Sequence, residues 1–264
     1  MSQYKILFLG DVVGKPGRDA VRAFLPRLLN QHQPLFTIIN GENSAGGLGI
    51  TSDIADDLFK WGADAITLGN HWFNKREIEN YLKSSKPIVR PANLAPGVPG
   101  RGVCFVEKEG VKLAVVNLLG RTYMDPADDP FRWLDDNLPS FDTDHVFIDF
   151  HCEATSEKIG FGWHADGRAT AVIGTHTHVQ TSDERVLPGG TAFMTDSGMC
   201  GPLDGVLGMD REIILKRFRT GMPQRFEVAK GPSVICGAVV SVNKETGRAA
   251  AIERIRLYEQ GATS

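Results

Sequence analysis

The sequence predicts an α/β protein of two packed mixed β-sheets flanked by helices, an α/β/β/α sandwich. Three observations predict it. Strand-like and helix-like segments alternate with short connections over the first third of the chain, which argues for a mainly parallel sheet there. From Arg101 the rhythm changes to apolar runs paired across tight turns, an antiparallel signature. No linker-like tract or internal repeat divides the 264 residues, so the chain is read as a single domain, residues 1–264.

Residues 5–9 form a continuous apolar strand that Gly10-Asp11 ends. Val21, Phe24, Leu25, Leu28 and Leu29 then recur at helical spacing and form one stripe. Pro26 lies inside that helix and is expected to kink or break it, because it cannot donate to residue 22. Residues 35–39 make a second strand, closing on Asn40-Gly41-Glu42-Asn43. Thr51 caps a helix that carries Ile54, Leu58 and Trp61 on one face and stops at Gly62. The run Ala65-Ile66-Thr67-Leu68 delivers Gly69-Asn70-His71-Trp72, after which Asn74 and Glu77 have the spacing of a variant capping box.

Residues 103–107 and 111–118 read as a hairpin turning at Glu109-Gly110. The stretch 121–139, rich in Asp, Pro and aromatics, reads as a surface excursion with a short helix. Residues 146–150 form a strand followed by His151, and a helix capped by Thr155 or Ser156 comes next. Ala171-Val172-Ile173 leads into Gly174-Thr175-His176-Thr177-His178. The last third holds a short strand at 191–195, a glycine-rich loop at 196–209 and a helix near 213–218. A final hairpin joins 234–242 to 249–257 through Lys244-Glu245-Thr246-Gly247.

Composition narrows the function. Hydrophobic residues at 42% and charged residues at 23% are those of a globular protein with a sizeable core. A formal net charge of -3 with interleaved signs gives no electrostatic case for long nucleic acid, though a small anionic substrate remains open. The amino terminus lacks the features of a secretory signal, and no apolar run approaches the roughly 20 residues that span a bilayer. Four widely spaced cysteines without a Cys-x-x-Cys pair read as reduced, buried thiols. A cytoplasmic protein with no membrane partner is expected; a homo-oligomer stays open.

Five apolar runs each end on a polar group: Asp11, Glu42-Asn43, Asn70-His71, His151, and His176 with His178. Ligands of open α/β sheets bind beyond the carboxyl ends of the strands, so these groups can converge. Mixed carboxylate, amide and imidazole donors without thiolate suit catalytic rather than closed structural metal sites. Seven candidate ligands exceed one tetrahedral shell and fit two larger shells sharing a carboxylate. Two ions roughly 3.5–4 Å apart would bind phosphoryl oxygens and generate hydroxide near neutral pH. His176 and His178, two residues apart, would face the same way on an extended chain.

Each residue also has a plainer reading. Asp11 could cap a helix, Glu42 and Asn43 could be turn residues, and His151 alone could be a core histidine. Five coincidences at strand ends weigh against all of these together. Gly10 to Lys15 imitates a phosphate-binding loop but is one residue short, with Pro16 where Ser or Thr would touch magnesium. Gly46-Gly47-Leu48-Gly49 lacks the third glycine of a dinucleotide fingerprint. Lys15 and Arg18 are read as solvated charges, Cys152 as buried, and His32, His145 and His164 as surface or structural. Asp196 is either a turn residue or a partner orienting a ligating histidine.

The ordered strand-end motifs resemble those of the calcineurin-like metallophosphoesterase superfamily: Asp-x-His, Gly-Asp-x-x-Asp, Gly-Asn-His-Asp/Glu, a lone His, and Gly-His-x-His. The chain departs from them at Val13, at Gly41-Glu42-Asn43, at Trp72 in place of the acid, and at Thr175 between Gly174 and His176. With the segments 10–18, 151–158 and 196–202, these departures resemble the bacterial YmdB-type branch over nearly the whole chain. The resemblance implies the calcineurin-like phosphoesterase fold and two metal ions. Asp11, Glu42, Asn43 and His178 would hold the first, and Glu42, Asn70, His151 and His176 the second. Mixed ligands do not fix the metal; Fe or Mn are expected, with Zn or Mg as alternatives.

His71 would then be the general acid, with some group other than Trp72 orienting it. The implied activity is hydrolysis of 2′,3′-cyclic nucleotides or similar small phosphodiesters. A broad phosphomonoesterase or nucleotidase, and a regulatory metal-binding protein with weak catalysis, remain the alternatives.

Overall fold

Alternation along the first strand sets the layers. The computed structural model describes residues 2–259, and in it β1 (Gln3–Leu9) buries both its faces. Leu7 and Leu9 point to an outer core shared with the first helices, while Ile6 and Phe8 point to an inner core between two sheets. A strand covered on both sides needs apolar residues at consecutive positions, which is why 5–9 lacks polar alternation.

After β2 (Asp11–Val12) comes α1 (Gly14–His32), which lays Val21, Leu25 and Leu28 on the outer core. Of the kink or break expected at Pro26 the break does not occur, and the helix runs on uninterrupted. Pro26 and Arg22 both sit on its exposed side, so the carbonyl that loses its donor can turn to water. β3 (Phe36–Asn40), α2 (Ser52–Trp61) and β4 (Ala65–Thr67) follow, with the Thr51 hydroxyl accepting from the Ile54 amide at 3.3 Å as expected of a cap. The Asn74–Glu77 capping box does not form. Asn74 is used in a turn, donating its amide to the His71 carbonyl, and the short α3 (Ile78–Leu82) starts without a side-chain cap. β5 (Ile88–Val89) then pairs parallel to β4.

β6 (Val103–Lys108) and β7 (Val111–Leu119) form the expected hairpin; Glu109 and Gly110 both take the left-handed backbone its turn requires. Beyond it the expected antiparallel pattern is overturned. β7, β8 (Val146–His151), β9 (Ala171–Thr175) and β11 (Ala192–Met194) all run parallel. The reason lies in the connections. The polar excursion carries α4 (Pro130–Asn137) as a crossover to β8, and α5 (Thr155–Ala165) is the crossover to β9. α5 begins after Ala154 with no side-chain cap, so neither Thr155 nor Ser156 serves. Only β10 (Arg185–Val186), antiparallel to β11, closes the far edge.

The chain then returns to the first sheet with β12 (Met199–Pro202), α6 (Arg211–Thr220), β13 (Ser233–Asn243) and β14 (Ala249–Tyr258). β13 lies antiparallel to β1, and β14 to β13, so the terminal hairpin belongs with the amino-terminal strands. The first sheet runs β2-β12-β13-β1-β3-β4-β5 with β14 beside β13; the second runs β10-β11-β9-β8-β7-β6. Phe8 meets Phe147 across the sheets with ring centroids 5.1 Å apart. Leu134 of α4 and Phe161 of α5 cover the outer face of the second sheet. Two mixed sheets between helices are therefore present as expected. No described helix is long and apolar enough to cross a membrane.

Gly174 shows how tightly the second sheet closes beside the histidine loop. A methyl group there would run into the backbone carbonyl of Thr195, just past β11, and into the Lys158 stem. Gly174→Ala should lower stability by about 2–3 kcal/mol in urea unfolding, since backbone cannot yield as a side chain can. An unchanged midpoint would show that the strands have room to part.

Candidate metal centre

The carboxyl ends of β1, β3, β4, β8 and β9 meet at one rim of the sandwich, and the polar residues beyond them converge there. His151 stands at the centre, fully buried on the last residue of β8. Its Nε2 lies 3.1 Å from Glu42 Oε1, 3.0 Å from Asn70 Oδ1 and 3.1 Å from His176 Nδ1. Glu42, His151 and His176 form a group whose ligand atoms all fall within 4.8 Å of one another. Gly69 must lack a side chain because the Glu42 carboxylate and the His151 ring occupy the space beside it.

The other ring nitrogen fixes how His151 presents itself. Nδ1 is 2.8 Å from Thr175 Oγ1, and that hydroxyl donates to Asp149 Oδ1 at 2.6 Å. With its hydrogen committed to a carboxylate, Thr175 accepts from His151 Nδ1–H, and Nε2 is left to face the cluster. Asp149 also accepts from Asn40 Nδ2 at 2.9 Å and Thr67 Oγ1 at 2.5 Å. Burial pushes the Asp149 carboxyl up to about 7, in spite of His151 and the two threonine hydroxyls.

Asp11, Asn43 and His178 surround this group less closely. Asp11 Oδ1 is 3.9 Å from His151 Nδ1, and Asp11 Oδ2 accepts the His176 amide at 3.2 Å. Asn43 donates its amide to the Gly47 carbonyl at 3.1 Å. His178 makes a 3.0 Å hydrogen bond from Nδ1 to the Leu207 carbonyl, and its ring stays outside the three-residue group. His176 and His178 do not share an extended face. Both have left-handed backbone, with φ of 101° and 63°, because β9 ends at Thr175 and the chain turns sharply.

That turn is held from below by a buried ion pair. Asp196 accepts Lys158 Nζ at 2.6 Å, the Thr177 amide at 3.1 Å and the Gly198 amide at 2.8 Å. Asp196 therefore shapes the histidine loop through its backbone rather than touching a histidine ring. His71 is oriented by Glu42. Its amide donates to Oε2 at 3.3 Å and its Nδ1 lies 3.4 Å from Oε1, while Trp72 packs on Phe73 and the outer core. Arg18, expected to be solvated, instead donates to the Ser44 carbonyl in the loop after Glu42. The four cysteines are buried and unpaired.

A cation fits these donors. Asp11 Oδ1 and Asn43 Oδ1 are buried without hydrogen-bond partners, while Glu42 Oε1 faces the His151 and His71 rings, and unsatisfied buried acceptors are costly. Protonation reports the same demand. Burial alone would lower the His151 pKa, but the Glu42 and Asp11 charges raise it to about 9. Burial opposes the Glu42 charge too, and contacts with His151 and His71 still hold its carboxyl well below the usual range. Burial pushes Asp11 up against the pull of His178 and His151. Burial and the neighbouring His151 charge push His176 down to about 3. One proton on His151 thus stands in for the positive charge the donors require.

Sequence reasoning missed Thr67, Asp149, Thr175 and Lys158. Asp149 did leave a signal, a lone carboxylate within the apolar run Val146-Phe147-Ile148-Asp149-Phe150. Thr175 stood in view but read as an interruption of a motif.

A sequence profile of the family described as YmdB-like protein matches residues 7–255. The chain is 53% identical over 257 residues to the 2′,3′-cyclic-nucleotide 2′-phosphodiesterase of Bacillus subtilis (strain 168), covering 97% of each. It aligns with the crystal structure of a novel phosphatase from Mycoplasma pneumoniae at a TM-score of 0.93 and 36% identity, covering 98% of this chain and 94% of that one. A hypothetical protein from Thermus thermophilus aligns at a TM-score of 0.90 and 42% identity, covering 97% and 99%.

A pH dependence follows from His151. Its raised pKa means that the metal-free protein keeps the proton below about 9 and loses it above. A cation entering the cluster must displace that proton, whereas His176 has none to lose at neutral pH. Metal affinity should therefore rise about tenfold per pH unit from 7 and level off near the His151 pKa. Calorimetric titration at pH 7 in buffers of different ionisation enthalpy should find one proton released at this position. Uptake without proton release would contradict the charge balance.

Proposed function

The chain belongs to the YmdB-like protein family, and from that membership and the metal centre we propose that it is a dinuclear-metal phosphodiesterase acting on 2′,3′-cyclic nucleotides or similar small phosphodiesters. The observation that most supports this reading is the convergence of Glu42 Oε1, Asn70 Oδ1 and His176 Nδ1 on His151 Nε2 within 3.0–3.1 Å. The activity for which the Bacillus subtilis relative is named supports the substrate class.

In this reading Glu42, Asn70, His151 and His176 hold one ion, and Asp11, Glu42, Asn43 and His178 the other, with Glu42 shared. When bound, such ions supply Lewis-acid stabilisation of phosphoryl charge and acidify water. Fe or Mn suits the oxygen and imidazole donors, although affinity order alone does not select the metal. Asn43 and Asn70 add donor atoms without adding negative charge, which keeps the centre attractive to an anionic ester.

Hydrolysis adds water to phosphorus and breaks the bond to one ribose oxygen, which leaves needing a proton. His71, with its side chain 26% exposed at the mouth, is the imidazole available to give it. Glu42 carries two duties, since it also holds His71 by amide and ring. Four buried free thiols suit a reducing compartment, and we assign the protein to the cytoplasm.

Metal-reconstituted protein should turn over 2′,3′-cyclic nucleotides faster than it releases phosphate from nucleoside monophosphates. The reverse preference would favour a phosphomonoesterase. His71→Ala should keep its metal yet lose about 10²–10⁴-fold in kcat on cyclic nucleotides, with little loss on esters whose leaving group needs no proton. Equal kcat for the variant and wild type would remove His71 from the acid role. Glu42→Gln should lose metal and turnover together.

A further inference from the structure

Glu153 lies two residues beyond His151, where the chain leaves β8 for α5. Alternation carries over this short stretch: Cys152 points into the outer core of the second sheet, while Glu153 turns towards the rim with His151. Its Oε2 is 3.1 Å from His176 Nε2, and the opposite ring nitrogen, Nδ1, is 3.1 Å from His151 Nε2. The imidazole is thus suspended between a carboxylate and the cluster.

We propose that Glu153 is a positioning residue that makes His176 a metal ligand. A carboxylate can only accept from a neutral imidazole, so the single ring hydrogen sits on Nε2. The lone pair of Nδ1 then faces Glu42, Asn70 and His151. Without Glu153 the hydrogen is free to sit on Nδ1, where it blocks a cation, and the ring is free to turn. His176 needs this restraint more than His151 does. His151 is fully buried on a strand, whereas His176 hangs from a turn residue with φ 101° and its side chain is 22% exposed. The two histidines are thereby fixed in complementary ways. Thr175 holds the Nδ1 hydrogen of His151 and Glu153 holds the Nε2 hydrogen of His176, so the remaining nitrogens face each other.

This inference rests on the metal reading of the cluster, and the test separates the two. Wild type, Glu153→Ala and Glu153→Gln are titrated with manganese(II) against a chelator, and the thermal midpoint of each metal-free protein is recorded. Glu153→Ala should weaken one of two manganese equivalents about 10–100-fold and leave the other unchanged. Glu153→Gln, whose amide oxygen still accepts from Nε2, should recover most of that loss. All three metal-free midpoints should agree, because the Glu153 side chain is 48% exposed. Two wild-type equivalents bound with unchanged constants in Glu153→Ala would overturn the role of Glu153 and leave the metal centre standing. A Gln variant as weak as Ala would also overturn it. Failure of wild type to bind either manganese(II) or iron(II) would sink the metal reading, and the inference with it.

Discussion

One buried carboxylate ties the two sheets together at the rim where the centre is built. Asp149 sits on β8 of the second sheet and receives Asn40 from β3, Thr67 from β4 and Thr175 from β9. Two of those donors belong to the first sheet. Elsewhere the inner core between the sheets is built largely of apolar contacts such as Phe8 on Phe147, which are strong but non-directional. Hydrogen bonds to a buried carboxyl group specify direction and register, and leaving a buried polar group unpaired costs about 1–3 kcal/mol. The relative placement of the strand ends, and hence of Glu42, Asn70 and His151, is therefore set by a polar clamp rather than by packing alone.

The clamp holds together groups that repel in the absence of a cation. Asp11 and Glu42 are buried carboxylates around His151, and Asp11 Oδ1 and Asn43 Oδ1 have no hydrogen-bond partner. A fold driven only towards stability would replace them, since buried ionic groups seldom outperform a well-packed apolar core. Their cost is offset by the apolar layers that surround the rim. At this rim neighbouring groups are pushed in opposite directions, His151 up and His176 and Glu42 down, a pattern that functional sites favour.

How much of this was legible in the sequence depends on whether the information was local. The two sheets, most helices and the eight strand-end residues follow from apolar runs and what terminates them. The direction of β8, β9 and β11 does not, because it is decided by where α4 and α5 cross, and the polar composition of 121–139 concealed a crossover. The return of the terminal hairpin to β1 is likewise a long-range fact, with Gln3 opposite Asn243. Caps failed as signals where the residues were needed for turns, as at Asn74. Glu153 was invisible for another reason: its role exists only through the tautomer of a histidine on a different strand.

The departures from the superfamily motifs also acquire a physical sense. Thr175 separates Gly174 from His176, and its hydroxyl links the Asp149 carboxyl to His151. β9 ends at Thr175, so the two histidines emerge on a turn with left-handed backbone. That turn is then pinned by Asp196 beneath and by the Asp11 carboxylate on the His176 amide. Trp72 replaces an acid beside His71, and the orienting contact passes to Glu42. One carboxylate therefore has to serve both the ion cluster and the imidazole next to it. Such sharing would couple the two proposed functions, so a change that moves Glu42 by a fraction of an ångström should disturb the proposed metal site and the proposed proton donor together.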